Sequence, residues 1–258
     1  MSEKKTKKKT KGMDVIFLII IFGLGSALGY GGYKIYDTLH TYKVAESTYD
    51  TLIDQYVKEE VTVNENSEEE VTYSIDFDSL LAVNSEIVGW LRQEGTVIDY
   101  PVAKGKNNDK YLRHLVTGEY NNAGTLFVDF RNRDLFEDTI SVIYGHNMHN
   151  GSMFHCLEDY QTQEYYDEHK VFYFYTPEHT YLLEPFAGEQ RNAEIPFLQF
   201  NFNSSSPFED YIQDFLDSSV FKSDVEVHDG DKVIMMISCS YDYTAARYVL
   251  LCKVTEIA

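Results

Sequence analysis

Val233-Ile234-Met235-Met236-Ile237-Ser238-Cys239-Ser240-Tyr241-Asp242-Tyr243-Thr244-Ala245-Ala246-Arg247-Tyr248-Val249-Leu250-Leu251-Cys252-Lys253-Val254 reads as strand, break, strand. The run 233–237 has the apolar character of a buried strand, and 248–252 that of a second. Between them the chain turns small and polar, which marks where it leaves the core. Cys239 therefore ends one buried strand, and Arg247 opens the next eight residues on. A thiol so placed is rigidly held yet near the surface. A guanidinium beside it favours a thiolate or a developing oxyanion. The position equally suits a cysteine that is one more small buried hydrophobe. This stretch alone does not choose.

The 258 residues, 43% hydrophobic and 15% aromatic, suffice for one sizeable core. Three cysteines (156, 239 and 252) are too few for a disulfide framework. The net charge of −20 conceals an asymmetry, because residues 1–12 carry six lysines and one glutamate. The remainder holds 16 basic and 41 acidic residues, and such a body repels nucleic-acid phosphates.

Residues 15–33 follow the lysine cluster as 19 residues without a charge. As a helix they extend ~28 Å, close to a bilayer's hydrocarbon thickness. The lysines should stay cytoplasmic, which puts the rest of the chain outside the cell. A cleaved signal peptide competes, with 26–29 (SALG) as a weak cleavage site. The run outlasts a signal core, so an uncleaved anchor is the reading taken. The organisation expected is a cytoplasmic basic tail over 1–12, a transmembrane signal-anchor over 13–33, an amphipathic helix and acidic spacer over 34–71, and one domain over 72–258. Ile35, Leu39, Tyr42, Ala45, Tyr49, Leu52, Ile53 and Tyr56 give the helix its apolar face. The acidic stretch 58–70 has almost nothing apolar and reads as a mobile loop or spacer.

Within the domain, residues 79–91 begin helical, with Leu80, Leu81, Val83, Ile87 and Val88 on one face. Residues 96–102 form a short strand whose Pro101 points to an edge or a bulge. Strands follow at 124–129 and 139–144, a short helix at 153–160, and a hairpin of 171–175 with 180–186. Ser206, Pro207 and Glu209 look like the capped start of a helix running to 218. Many short strands with few helices give a mostly-β domain and suggest a barrel.

His146 follows Gly145 at the end of the 139–144 strand, where side chains reach clefts. It admits three readings. It is a satisfied polar group, or part of a soft-metal or haem-binding loop with Met148, His149, Met153 and His155. Alternatively, it pairs with Cys239 for nucleophilic catalysis, the imidazolium protonating a leaving amine.

The combination Val142-Ile143-Tyr144-Gly145-His146-Asn147-Met148, Ser238-Cys239 and Arg247 resembles a sortase. Residues 84–91 (NSEIVGWL), 99–102 (DYPV), 107–112 (NNDKYL) and 124–129 (GTLFVD) resemble class B sortases in order and spacing. The helix before the domain and the one before the cysteine strand fit as well. The resemblance covers about residues 75–254. It implies an eight-stranded β-barrel with peripheral helices, preceded by the anchor and the amphipathic helix. It also implies a membrane-anchored cysteine transpeptidase of Gram-positive bacteria, needing no metal and no cofactor.

In that reading Cys239 is the nucleophile, His146 the general acid/base and Arg247 the oxyanion stabiliser. The partners implied are the sorting-signal peptide of a secreted surface protein, of Leu-Pro-x-Thr-Gly or Asn-Pro-x-Thr-Asn type, and an amine of a peptidoglycan precursor. The signal is cut after its threonine and held as a thioester. Asn108 and Leu112 fall where class B enzymes line the signal groove; as plain residues they are a turn residue and a core residue. The chain departs from the family at Ile237, Ser238 and Ser240, where many members carry Ser, Thr and an acid. Ser238 and Ser240 thereby become candidate groove residues that bear on the sorting motif. A hydrolase that passes the acyl group to water shares all these residues, and a non-enzymatic metal or haem binder uses His146 differently. Cys156 and Cys252 read as packing residues.

Overall fold

The structure, a computed structural model, describes residues 7–63, 69–192, 196–239 and 246–258. The chain divides into two compact units, Met1–Val44 and Ala45–Ala258. Helix α1 (Lys7–Tyr56) begins in the first. There Phe17, Leu18, Ile19 and Phe22 are each more than 60% exposed, and α1 is long and apolar enough to cross a membrane. Ile35 and Leu39, expected on a buried face, are exposed.

In the second unit the last turns of α1 bury Ala45, Tyr49 and Leu52 at spacings of four and three. The Tyr49 hydroxyl donates to the Gly124 carbonyl at 2.5 Å, and its ring meets Tyr100 edge-on. At both ends the acidic stretch is strand rather than the loop its composition suggests, while residues 64–68 lie outside the described residues. Strand β1 (Val57–Val63) pairs antiparallel with β2 (Glu69–Ile75), from Val57↔Ile75 to Val63↔Glu69. Val57, Val61, Thr62, Val63, Val71 and Thr72 are β-branched and favour extended backbone, which the glutamates between them do not prevent.

Helix α2 (Phe77–Val83) is N-capped by Asp76, which accepts from the Ser79 N–H. It stops at Asn84, whose side chain accepts from Glu86 N–H. Ile87 and Val88, expected on the helix, therefore belong to strand β3 (Ile87–Arg92). β4 (Asp99–Ala103), β5 (Leu126–Val128), β6 (Ile140–His146), β7 (Phe172–Tyr175), β8 (Thr180–Asn192), β9 (Lys232–Cys239) and β10 (Ala246–Glu256) follow. These eight strands close a barrel in the order β10-β8-β7-β3-β4-β5-β6-β9. Pro101 is thus not on an edge, but the β3–β4 ladder beside it does carry an irregularity, between Ile87 and Gly89. β4 pairs with β5 only through Val102 and Ala103, so the missing N–H costs no ladder bond on that side.

A 3-10 turn (His155–Gln161) and helix α3 (Gln163–Glu168) cross between β6 and β7. Helix α4 (Ser205–Ser218) starts one residue before Ser206, with Ser204 at the N-cap position. Pro207 then sits at the third helical position, where an N–H has no intrahelical partner to lose. Phe208, Ile212 and Phe215 of α4 bury against Ile140, Val142, Val233, Met235 and Ile237. Each such side chain contributes ~1.5–3 kcal/mol of burial. This packing fixes β6 and β9 beside each other.

Candidate active site

β6 and β9 run parallel, in register from Ile140↔Val233 to His146↔Cys239. Two strands ending at the same barrel rim bring these two residues to neighbouring positions, with strands ~4.8 Å apart. β10 returns antiparallel, its last pair with β9 being Val249↔Ile237. Arg247 lies two residues beyond that pair, level with Cys239. The three residues chosen as catalytic from sequence thus share one rim.

Tyr144, Ile237 and Arg247 line a cavity of about 240 Å³, together with Arg131 and residues 196–198. His146 is 4% exposed. Its Nε2 lies 2.7 Å from the Leu112 carbonyl oxygen. A carbonyl only accepts, so Nε2 carries the proton and Nδ1 is the nitrogen that can exchange one. The His146 carbonyl accepts from Phe154 N–H at 2.8 Å. Gly145 allows close packing. A Cβ there would come within 2.4 Å of Leu126 Cδ2 and 2.6 Å of the Phe154 ring.

Ser238 is buried, and its hydroxyl accepts from the Tyr248 N–H at 3.1 Å. It clips β10 next to Arg247. Ser240 lies outside the described residues. Asn108 is half-buried; its amide donates to Asp129 and its oxygen accepts from Phe130 N–H. Leu112 packs partly buried on the cluster of Ala103, Tyr111 and Phe127.

Sequence reasoning missed Asp129, Arg131 and the Leu112 carbonyl. Asp129 is fully buried and accepts from Tyr144 Oη (2.9 Å), Asn108 Nδ2 (3.1 Å), Arg131 Nη2 (2.7 Å), and Arg131 Nε and N–H (both 2.9 Å). Burial pushes its carboxyl up, but the Arg131 side chain and backbone, Tyr144 and Asn108 outweigh that and hold it below the usual range. The available signal was an acid leaving a strand two residues before an arginine. Leu112 acts through its backbone, which leaves no trace in residue type.

Met148 and Met153 are buried in the core, His149 is exposed, and His155 Nδ1 meets Asn147 Oδ1. Among the described residues no three His, Cys, Asp or Glu side chains are arranged to hold a metal. Burial pushes the Cys156 thiol up to about 12 and Cys252 well above its ordinary value. Both are buried free thiols, unreactive in that state.

No protein-family model matches the chain. It is 33% identical over 223 residues to Sortase B of Listeria monocytogenes, covering 86% of this chain and 89% of that one. The Staphylococcus aureus sortase B–substrate complex superposes with a TM-score of 0.68 at 31% identity, over 70% of this chain and 85% of that one. A sortase B complexed with triglycine does so at 0.68 and 26%, over 86% and 99%. With its closed eight-stranded barrel and this extent of shared sequence, the chain belongs to the sortase B family of transpeptidases.

Proposed function

We propose that this chain cleaves a sorting signal after its threonine, holds the protein as a thioester on Cys239 and transfers it to a cell-wall amine. The observation that carries this is the His146↔Cys239 register with Arg247 lining the cavity beside it. The Cys239 thiol passes its proton to His146 Nδ1, the resulting thiolate attacks the threonine carbonyl carbon, and the oxyanion formed is stabilised by Arg247. As the C–N bond breaks, His146 gives its Nδ1 proton to the leaving amine. An incoming amine then attacks the thioester, passes a proton back to His146 and releases the thiolate.

The relatives' complexes with a substrate and with triglycine support a signal peptide and an amine as the two partners. Residues 13–33 would anchor the enzyme with residues 1–12 in the cytoplasm and the catalytic domain, assigned to 72–258, outside the cell. The six lysines before the apolar run favour this orientation. Asn108 and Leu112 belong in this reading to the loop that flanks the signal. Ser240 would lie beside the signal next to the nucleophile.

The test uses the soluble chain, an Asn-Pro-Gln-Thr-Asn peptide and oligoglycine. Mass spectrometry should find the acyl fragment on Cys239 and a new amide product. Cys239→Ala should abolish both. His146→Ala and Arg247→Ala should each lower turnover by several orders of magnitude, one oxyanion donor alone accounting for ~10²–10³. Cleavage without any amide product would make the chain a hydrolase, and full cleavage by Cys239→Ala would exclude this chemistry.

A further inference from the structure

The cavity beside the proposed nucleophile holds two guanidinium groups, Arg131 and Arg247. Arg131 is tied to a buried carboxylate. Its Nε and Nη2 meet the two oxygens of Asp129 at 2.9 and 2.7 Å, and Asp129 is 0% exposed. Such a fork is the strong form of this pair. The Arg131 side chain remains 46% exposed, so its outer edge is accessible. Its guanidinium also rests over the Phe200 ring, 5.0 Å from the centroid. Asp129 further binds Tyr144, another cavity residue, and Asn108 of the loop before β5.

We propose that Asp129 is a positioning residue that sets the charge of the signal-binding cavity. It holds Arg131 in the wall and cancels its charge there, so Arg131 adds no preference for acidic signal peptides. The inference rests on reading this cavity as part of the signal site. A structural brace would have one sign of effect whichever partner was removed. A charge balance has two. Removing the carboxylate charge leaves Arg131 to attract acidic peptides, and removing the guanidinium leaves Asp129 to repel them.

The experiment measures kcat/KM for peptides of the Asn-Pro-x-Thr-Asn type that differ only in Glu or Gln, placed in turn at each position other than threonine. Asp129→Asn should raise the Glu/Gln ratio about fivefold at one position, the effect of one unit charge several ångströms away in a partly screened site. Arg131→Gln should lower the ratio at that same position. Asp129→Asn/Arg131→Gln should return it towards wild type. Arg131→Gln alters a half-exposed side chain and provides the test should Asp129→Asn fail to fold. Ratios that do not move, or move in the same direction in both single variants, with Cys239→Ala inactive, overturn the inference and leave the catalytic reading standing. Cleavage that survives in Cys239→Ala overturns both.

Discussion

His146 donates its Nε2–H to the carbonyl of Leu112 across 2.7 Å. The acceptor belongs to the backbone between β4 and β5, so the ring's orientation does not depend on a side chain that could swing away. A fixed Nε2–H leaves Nδ1 as the nitrogen that takes up and releases a proton in neutral imidazole. Two-dimensional ¹⁵N NMR of the neutral ring should therefore show the Nε2–H tautomer. A dominant Nδ1–H signal would reverse the assignment and remove the acceptor that the proposed chemistry needs.

Gly145 should not tolerate even one carbon. Its neighbours Leu126 and Phe154 are fully buried, and the added Cβ would press on both. Overpacking of this kind costs ~1–3 kcal/mol. Gly145→Ala should lower the melting temperature and displace His146, the next residue, so turnover should fall more than stability. Gly145→Ala with Phe154→Leu should recover part of both, measured by thermal melts and peptide cleavage. No recovery would place the strain elsewhere.

The strand–break–strand of 233–254, the His146 rim and the barrel class were legible because each rests on apolar runs ended by polar breaks. The pairing of β1 with β2 was not, because adjacent glutamates (59–60 and 69–70) stand among its β-branched residues and composition hides the extended backbone. The spacing of Ile87 and Val88 from Leu80 and Val83 suits a helix. The Asn84 side-chain bond to Glu86 N–H, a local event, overrides that periodicity. The Leu112 carbonyl and the Asp129–Arg131 fork depend on long-range packing, which no spacing encodes.

Ser238 is better placed to hold β10 than to touch a peptide. Its hydroxyl oxygen is the acceptor for the buried Tyr248 N–H, one residue from Arg247. Ser238→Ala should leave that donor unpaired, at ~1–3 kcal/mol. Turnover should fall through the displaced Arg247, whereas the ranking of peptides in a library should stay as in wild type. Ser238→Thr keeps the hydroxyl and should retain most activity. A changed peptide ranking in Ser238→Ala would return Ser238 to the groove.

Asp138 links the start of β6 to the segment that walls the cavity. Its carboxylate accepts from Asn201 Nδ2 at 2.7 Å, Asn132 Nδ2 at 2.9 Å and Arg133 Nε at 2.7 Å. Burial pushes its carboxyl up, but these donors and the Arg133 N–H outweigh it and hold it well below the usual carboxylate range. A carboxyl depressed in the folded state stabilises above its unfolded value of 3.8 and loses that contribution as pH falls towards the folded one. Asp138→Asn should therefore be less stable than wild type at pH 7 and should lose less stability on acidification. Urea midpoints at neutral pH and near pH 3 should show the two proteins converging. Asn132 also holds the Ile140 carbonyl and the Val142 N–H, so releasing Asp138 loosens the strand that carries His146. Asp138→Asn should therefore also cleave more slowly than wild type at neutral pH, and parallel urea curves at both pH values would count against Asp138 as the cause.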